Sequence, residues 1–197
     1  HTGWNRLATL ALKPAPVQAT YLGYPNTTGL GAVDYHITDP SADPPGESDR
    51  FYTERPARLP VTYFCYRPET DAPEVGPLPA VGAGAVTFGC FNNFLKISAS
   101  FLHTAARVLA EVPGSRLLLK SRPLSVPDVA KSARARMAAA GLDMQRVELR
   151  GWEPEVRNHL TIYREVDIAL DSFPYNGATT TCEAMWMVAS FHSTSVP

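Results

Sequence analysis

The sequence predicts an α/β protein built on a parallel sheet with right-handed crossovers, and three observations predict it. After Gly84, short apolar runs alternate with amphipathic stretches of helical length. The run Arg116–Lys120 carries Leu117, Leu118 and Leu119 in succession, as a strand covered on both faces does. The last apolar run, residues 166–170, leads through a Pro/Asn/Gly turn into Thr179, Thr180 and Thr181, which open a further helical pattern. A doubly wound sheet places its ligands beyond the C-terminal strand ends. Asn92, Asn93, Lys96, Lys120, Arg122, Gly151 and Tyr175 all fall there.

The elements follow in order. Residues 17–22, 33–37 and 61–65 read as short extended segments, with a brief helix near 49–54. Two thirds of the 18 prolines precede Gly84, and residues 67–84 lack periodicity, so that stretch reads as a connector or surface excursion. Residues 86–91 form the next strand. Ser98 opens a helix in which Phe101, Leu102, Ala105, Val108, Leu109 and Val112 keep helical spacing. Ser125 and Pro127 start an alanine-rich helix that stops near Gly141. Residues 147–149 give a strand, 155–164 a helix, 166–170 a strand, and the threonine turn a last helix. The organisation is then a first lobe over 1–66, the connector 67–84, a Rossmann-like lobe over 85–188 and an irregular tail over 189–197.

Composition narrows the class. At 197 residues, 45% hydrophobic and 19% charged, the chain has enough apolar material for a sizeable core. A net charge of -1 lacks the basic excess that nucleic-acid binding needs, and no apolar run is long enough to cross a bilayer. Three widely spaced cysteines, Cys65, Cys90 and Cys182, suit reduced thiols, and five scattered histidines offer no metal-ligand spacing. No metal or cofactor is therefore expected. Neither Gly-x-Gly-x-x-Gly, a P-loop nor a Gly-x-Ser-x-Gly elbow occurs.

The chemistry concentrates at two strand ends. A strand that turns directly into a helix presents unpaired N–H groups and the positive end of the helix dipole, which favour an anion. Threonine is a good cap, but one cap needs one residue, and three β-branched hydroxyls in a row are poor helix formers. Thr179, Thr180 and Thr181 therefore read as additional donors to a phosphate or diphosphate. Glu183 suits either the far half of a capping box or a ribose acceptor. Lys96 follows the first strand of the lobe, where a compact ammonium can meet a phosphate; a solvated lysine is the plain alternative. His159 lies within a helical pattern, where a lone histidine is ordinarily structural.

Four segments resemble the catalytic region of protein O-GlcNAc transferases of the SPINDLY-like type. They are residues 88–97, residues 112–122, Leu149-Arg-Gly-Trp152 and residues 167–186. Lys13-Pro-Ala-Pro-Val-Gln18, Tyr21-Leu-Gly-Tyr-Pro25, Thr27-Thr-Gly29 and Asp34-Tyr35 precede them in the family's order. The resemblance implies a GT-B architecture of two Rossmann-like lobes, here the C-terminal lobe and the end of the N-terminal one. It implies inverting, metal-independent transfer of N-acetylglucosamine from UDP-GlcNAc to Ser or Thr hydroxyls of acceptor proteins. A cytoplasmic or nucleocytoplasmic setting and a helical-repeat region upstream belong to the same picture. Carried over by position, Lys96 matches the lysine that neutralises the donor diphosphate, and Asn93 a polar donor contact. His159 matches a histidine near the uracil, Thr179 and Thr180 the phosphate-binding threonines, and Glu183 the acid on the ribose. Gly23 and Pro25 match a loop that lines the sugar end.

The sequence departs from the pattern in three places. It begins after most of the N-terminal lobe, its residues 188–197 look unrelated to the family, and Ala178 stands where some members carry a phosphate-binding histidine. These departures imply a fragment with weak or no transfer activity. The alternatives are a sugar-nucleotide-binding or interaction fragment, and a protein O-fucosyltransferase using GDP-fucose.

Overall fold

A computed structural model describes residues 5–187 and 190–193, and the chain divides into two compact units, residues 1–65 and 66–197. The first unit holds a short helix α1 (Leu7–Ala11) and three strands, β1 (Ala19–Thr20), β2 (Tyr35–Thr38) and β3 (Arg55–Arg58). They pair in parallel in the order β1-β2-β3. Between β2 and β3, Asp49–Phe51 makes one 3-10 turn where a brief helix was expected. β2 carries a polar cluster in which His36, Thr38 and Asp43 are buried. Tyr52 stacks on His36 and donates to Asp43 Oδ1 at 2.9 Å, while Thr38 Oγ1 donates to Asp43 Oδ2 at 2.5 Å.

One further expectation for this unit needs correction. Residues 61–65 are not a strand: Val61 is 81% exposed, and the Tyr63 N–H is taken by the carboxylate of Asp39 at 2.8 Å. The third strand is instead the Arg-Pro-Ala-Arg segment, which shows no apolar alternation. It is an edge strand. The N–H groups of Arg55 and Leu59 point to β2, so the donor that Pro56 lacks falls on the open side.

The second unit runs α2 (Pro79–Ala83), β4 (Thr87–Cys90), α3 (Ala99–Glu111), β5 (Arg116–Lys120), α4 (Pro127–Ala139), β6 (Val147–Arg150), α5 (Val156–Thr161), β7 (Ile168–Asp171), α6 (Thr179–Met187) and β8 (Ser190–Ser193). All five strands are parallel, in the order β6-β5-β4-β7-β8. Ser98 caps α3 as its position suggests, its Oγ accepting from the Phe101 N–H at 3.1 Å. The apolar stripe of α3 and Met137 of α4 pack with Phe88, Cys90, Leu117 and Leu119 into the larger core. Leu160, Tyr163, Val166, Ala169, Ala184 and Met187 form a second one.

Gly89 in β4 lies against Val166, where an added Cβ would fall 2.5 Å from Cγ2. Gly89→Ala is expected to cost roughly 1–3 kcal/mol by overpacking, read from the urea midpoint. An unchanged midpoint would mean that Val166 moves aside freely.

Residues 67–84, expected as a connector or surface excursion, fall within the second unit. They are strapped to the second unit by side chains distant in sequence. Arg157 donates to the Asp71 carbonyl at 2.7 Å, Arg164 Nε to the Glu74 carbonyl at 2.8 Å, and the Asp167 carboxylate accepts from the Ala80 and Thr87 N–H groups at 2.8 Å. Backbone bonds of this kind leave no periodic trace. The tail also differs from expectation: Ser190–Ser193 is a strand beside β7. The open ladder of β7 offers backbone partners to any extended segment, whatever its side chains. Residues 189 and 194–197 of the expected tail lie outside the described residues. Among the described residues no helix is long and apolar enough to cross a membrane.

Candidate functional site

The chain leaves β4 for β5 and β6 on one side, then returns to β7 on the other side of β4. The loops after β4 and β7 therefore diverge and leave a crevice at the strand ends, the switch point where such sheets bind ligands. After β4 come Asn92, Asn93 and the 3-10 turn Phe94–Lys96; after β7 comes the loop that enters α6.

Asp171, at the end of β7 and 4% exposed, ties the two loops together. Its Oδ1 accepts from Asn92 Nδ2 at 2.6 Å, the Ser172 N–H at 2.9 Å and the Gly177 N–H at 2.7 Å. Its Oδ2 accepts from Thr181 Oγ1 at 3.3 Å. Asn92 in turn donates to Ser172 Oγ at 2.8 Å and accepts from Thr180 Oγ1 at 2.5 Å. A Cβ on Gly177 would collide with the Thr180 and Thr181 hydroxyls and Asn92 Oδ1, so only glycine closes this knot.

The knot corrects one part of the sequence reading. Thr180 and Thr181 turn their hydroxyl protons inward, to Asn92 and Asp171, and so fix the loop instead of adding three outward donors. What the loop presents is the start of α6, with the exposed Thr179 and the N–H groups that precede the first helical bonds, those of Thr181 and Cys182 to the Ala178 carbonyl.

Lys96 reaches across from the other loop. Its Nζ donates to the Asn176 carbonyl at 2.8 Å and stands 4.0 Å from the centre of the Tyr175 ring. An ammonium has three donors, so further ones remain for an anion. Burial pushes its pKa below the ordinary lysine value, against Asp171, which favours the charged form. Asn93 is exposed, and its Oδ1 accepts from the Leu95 N–H at 3.1 Å to cap the turn that carries Lys96.

A second line of groups runs beside the first. Lys120 Nζ lies 2.7 Å from His159 Nδ1, His159 Nε2 lies 3.0 Å from Glu183 Oε2, and the Tyr163 hydroxyl lies 3.2 Å from the same oxygen. Burial holds the Lys120 pKa down, opposed by Glu183 and Glu153, and lifts that of Tyr163 well up, reinforced by Glu183. Phe91, Asn93, Lys120, Arg122, Trp152 and His159 border an open cleft of about 290 Å³, with the Arg122 guanidinium 4.7 Å over the Trp152 ring.

The second unit thus brings Lys96, Asn93, Thr179, Thr180, Thr181, His159 and Glu183 to the ends of β4, β5 and β7. Gly23 and Pro25 belong to the first unit, in the loop after β1. The sequence reading gave no role to Asp171 and Tyr163 and placed Asn92 only by its strand end. A carboxylate closing an apolar strand, just before a glycine turn, is the signal that would have found Asp171.

An α/β fold of parallel sheets with a switch-point crevice, faced by an ammonium and a helix start, fits the class of GT-B glycosyltransferases. The sequence model of glycosyl transferase family 41 matches residues 1–69. Proteins described as probable UDP-N-acetylglucosamine–peptide N-acetylglucosaminyltransferase SPINDLY are similar across 95% of the chain: 46% identical in Solanum lycopersicum and 45% in Arabidopsis thaliana. The chain spans 20% of the length of these relatives. A solved O-GlcNAc transferase mutant from Thermobaculum terrenum superposes with a TM-score of 0.84 at 37% identity, covering 94% of this chain and 34% of that one. The chain is a homologue of the SPINDLY-type glycosyltransferases of family 41.

Proposed function

We propose that this chain carries the nucleotide-sugar end of a protein O-GlcNAc transferase, which moves N-acetylglucosamine from UDP-GlcNAc to Ser or Thr hydroxyls with inversion. The observation that carries the reading is convergence: Lys96, from the loop after β4, donates to the Asn176 carbonyl in the very loop that enters α6. Breaking a glycosyl–phosphate bond builds negative charge on the departing diphosphate. A fixed ammonium and a helix start stabilise that charge more in the transition state than in the ground state, and supply the role a metal plays elsewhere. In this reading Asn93 and Thr179 flank the diphosphate, while His159 and Glu183 meet the base and ribose. Acceptor proteins are recruited by helical repeats elsewhere in the full-length protein. Free thiols at Cys65, Cys90 and Cys182 suit a cytoplasmic setting.

Calorimetric titration of the chain with UDP-GlcNAc and with GDP-fucose tests the donor. Saturable binding of UDP-GlcNAc, displaced weakly by GDP-fucose, is expected; the reverse order of affinity would reassign the sugar. A radiolabelled-sugar assay then decides whether transfer accompanies binding.

The alkaline limb of binding follows from Lys96. Bound diphosphate favours the ammonium. Affinity is therefore full below the depressed pKa of Lys96 and declines as pH rises through it, beginning below the 10.5 of an ordinary lysine. In Lys96→Met this limb should vanish; its persistence would assign it to another group.

A further inference from the structure

The line Lys120–His159–Glu183 holds a device that the donor site alone does not call for. Lys120 ends β5 at 7% exposure, and its ammonium is spent on a histidine nitrogen at 2.7 Å instead of on a carboxylate. A charged lysine only donates, so Nδ1 of His159 has to be the accepting nitrogen. The ring proton then sits on Nε2 and is donated to Glu183 Oε2 at 3.0 Å. Tyr163, 2% exposed, brings a second donor to that same oxygen at 3.2 Å. With Oε2 held from two sides, the carboxylate is fixed in rotation and keeps Oε1 for a ligand, through a side chain that retains 15% of its surface.

The opposite tautomer would set the Nε2 lone pair against the carboxylate lone pairs and drive Glu183 away. Phe91 and Tyr163 pack on the imidazole at 6.1 and 5.6 Å, so the ring has little freedom to escape by turning. We infer that Lys120 is a positioning residue: it selects the Nε2–H tautomer of His159 and thereby aims Glu183 at a hydroxyl pair of the bound nucleotide's ribose. This role rests on the donor-site reading above. Lys120 touches neither the sugar nor the reacting atoms in that reading; it acts through His159.

Nitrogen-15 NMR of the histidine-labelled chain, with His159→Gln to identify the signals, reads the tautomer directly. Wild-type chain is expected to show an accepting Nδ1 and a protonated Nε2 at His159. Lys120→Met should lose that pattern and weaken UDP binding by roughly tenfold, the scale of one hydrogen bond to a charged group. Lys120→Arg, which also can only donate, should restore the tautomer. A protonated Nδ1 in the wild-type chain overturns the role of Lys120 without recourse to any variant. So does Lys120→Met with the tautomer and the UDP affinity both unchanged. Wild-type chain that shows the expected tautomer yet binds no UDP overturns the donor-site reading, and with it the aim of Glu183.

Discussion

Replacing Lys96 with alanine in the full-length protein should lower turnover by ~10²–10³, the scale of losing one preorganised electrostatic group. The loss should fall on kcat more than on the donor KM, because the charge it answers is larger in the transition state than in the bound donor. The geometry supports a large effect. Lys96 is half-buried, its ammonium anchored to the Asn176 carbonyl at 2.8 Å and set over Tyr175 at 4.0 Å, so little reorganisation accompanies bond breaking. Lys96→Arg is a stringent companion. A guanidinium keeps the charge but is a planar fork, and it does not reproduce a point charge held in this corner. Its turnover should stay well below wild type. Steady-state assays with labelled donor at saturating acceptor separate kcat from KM. Wild-type kcat in Lys96→Ala would remove Lys96 from the chemistry.

The second unit was legible where burial writes its own pattern. Leu117 to Leu119 sit in a strand covered on both faces, and the stripe Phe101, Leu102, Ala105 and Leu109 faces the sheet, so periodicity alone located β5 and α3. Pairing that depends on the backbone was not legible. Arg55–Arg58 joins β2 through its main chain, and Ser190–Ser193 joins β7 in the same way, with no apolar rhythm to announce either. At the site, the two strand-end loops could be read because a parallel sheet delivers both to one edge. The directions of the threonine hydroxyls could not. Thr180 is turned inward by Asn92, 88 positions away, and Thr181 by Asp171, and such long-range bonds leave no mark on the local sequence. The Lys120–His159 contact was hidden for the same reason: 39 positions separate two residues that only the sheet brings together.

Asp171→Ala should be the most damaging single substitution for the stability of the second unit. The carboxylate is 4% exposed and gathers Asn92 Nδ2, the N–H groups of Ser172 and Gly177, and the Thr181 hydroxyl. Alanine takes this acceptor from each of them, leaving Asn92 Nδ2 with Ser172 Oγ alone, in a place that water barely reaches. An unsatisfied buried donor costs about 1–3 kcal/mol, and neighbours sharing one acceptor do not add independently, so a loss of roughly 3–5 kcal/mol is expected. Asp171→Asn separates shape from charge. It keeps one accepting oxygen but turns an N–H₂ group toward existing donors, and should give an intermediate loss. Asp171 also favours the charged form of Lys96, so either variant should weaken UDP binding beyond what unfolding explains, measured well below the urea midpoint. A change in stability under about 1 kcal/mol in Asp171→Ala would contradict the anchoring role, since one such donor alone accounts for that much. Intact stability with lost UDP affinity would instead confine Asp171 to the electrostatics of Lys96.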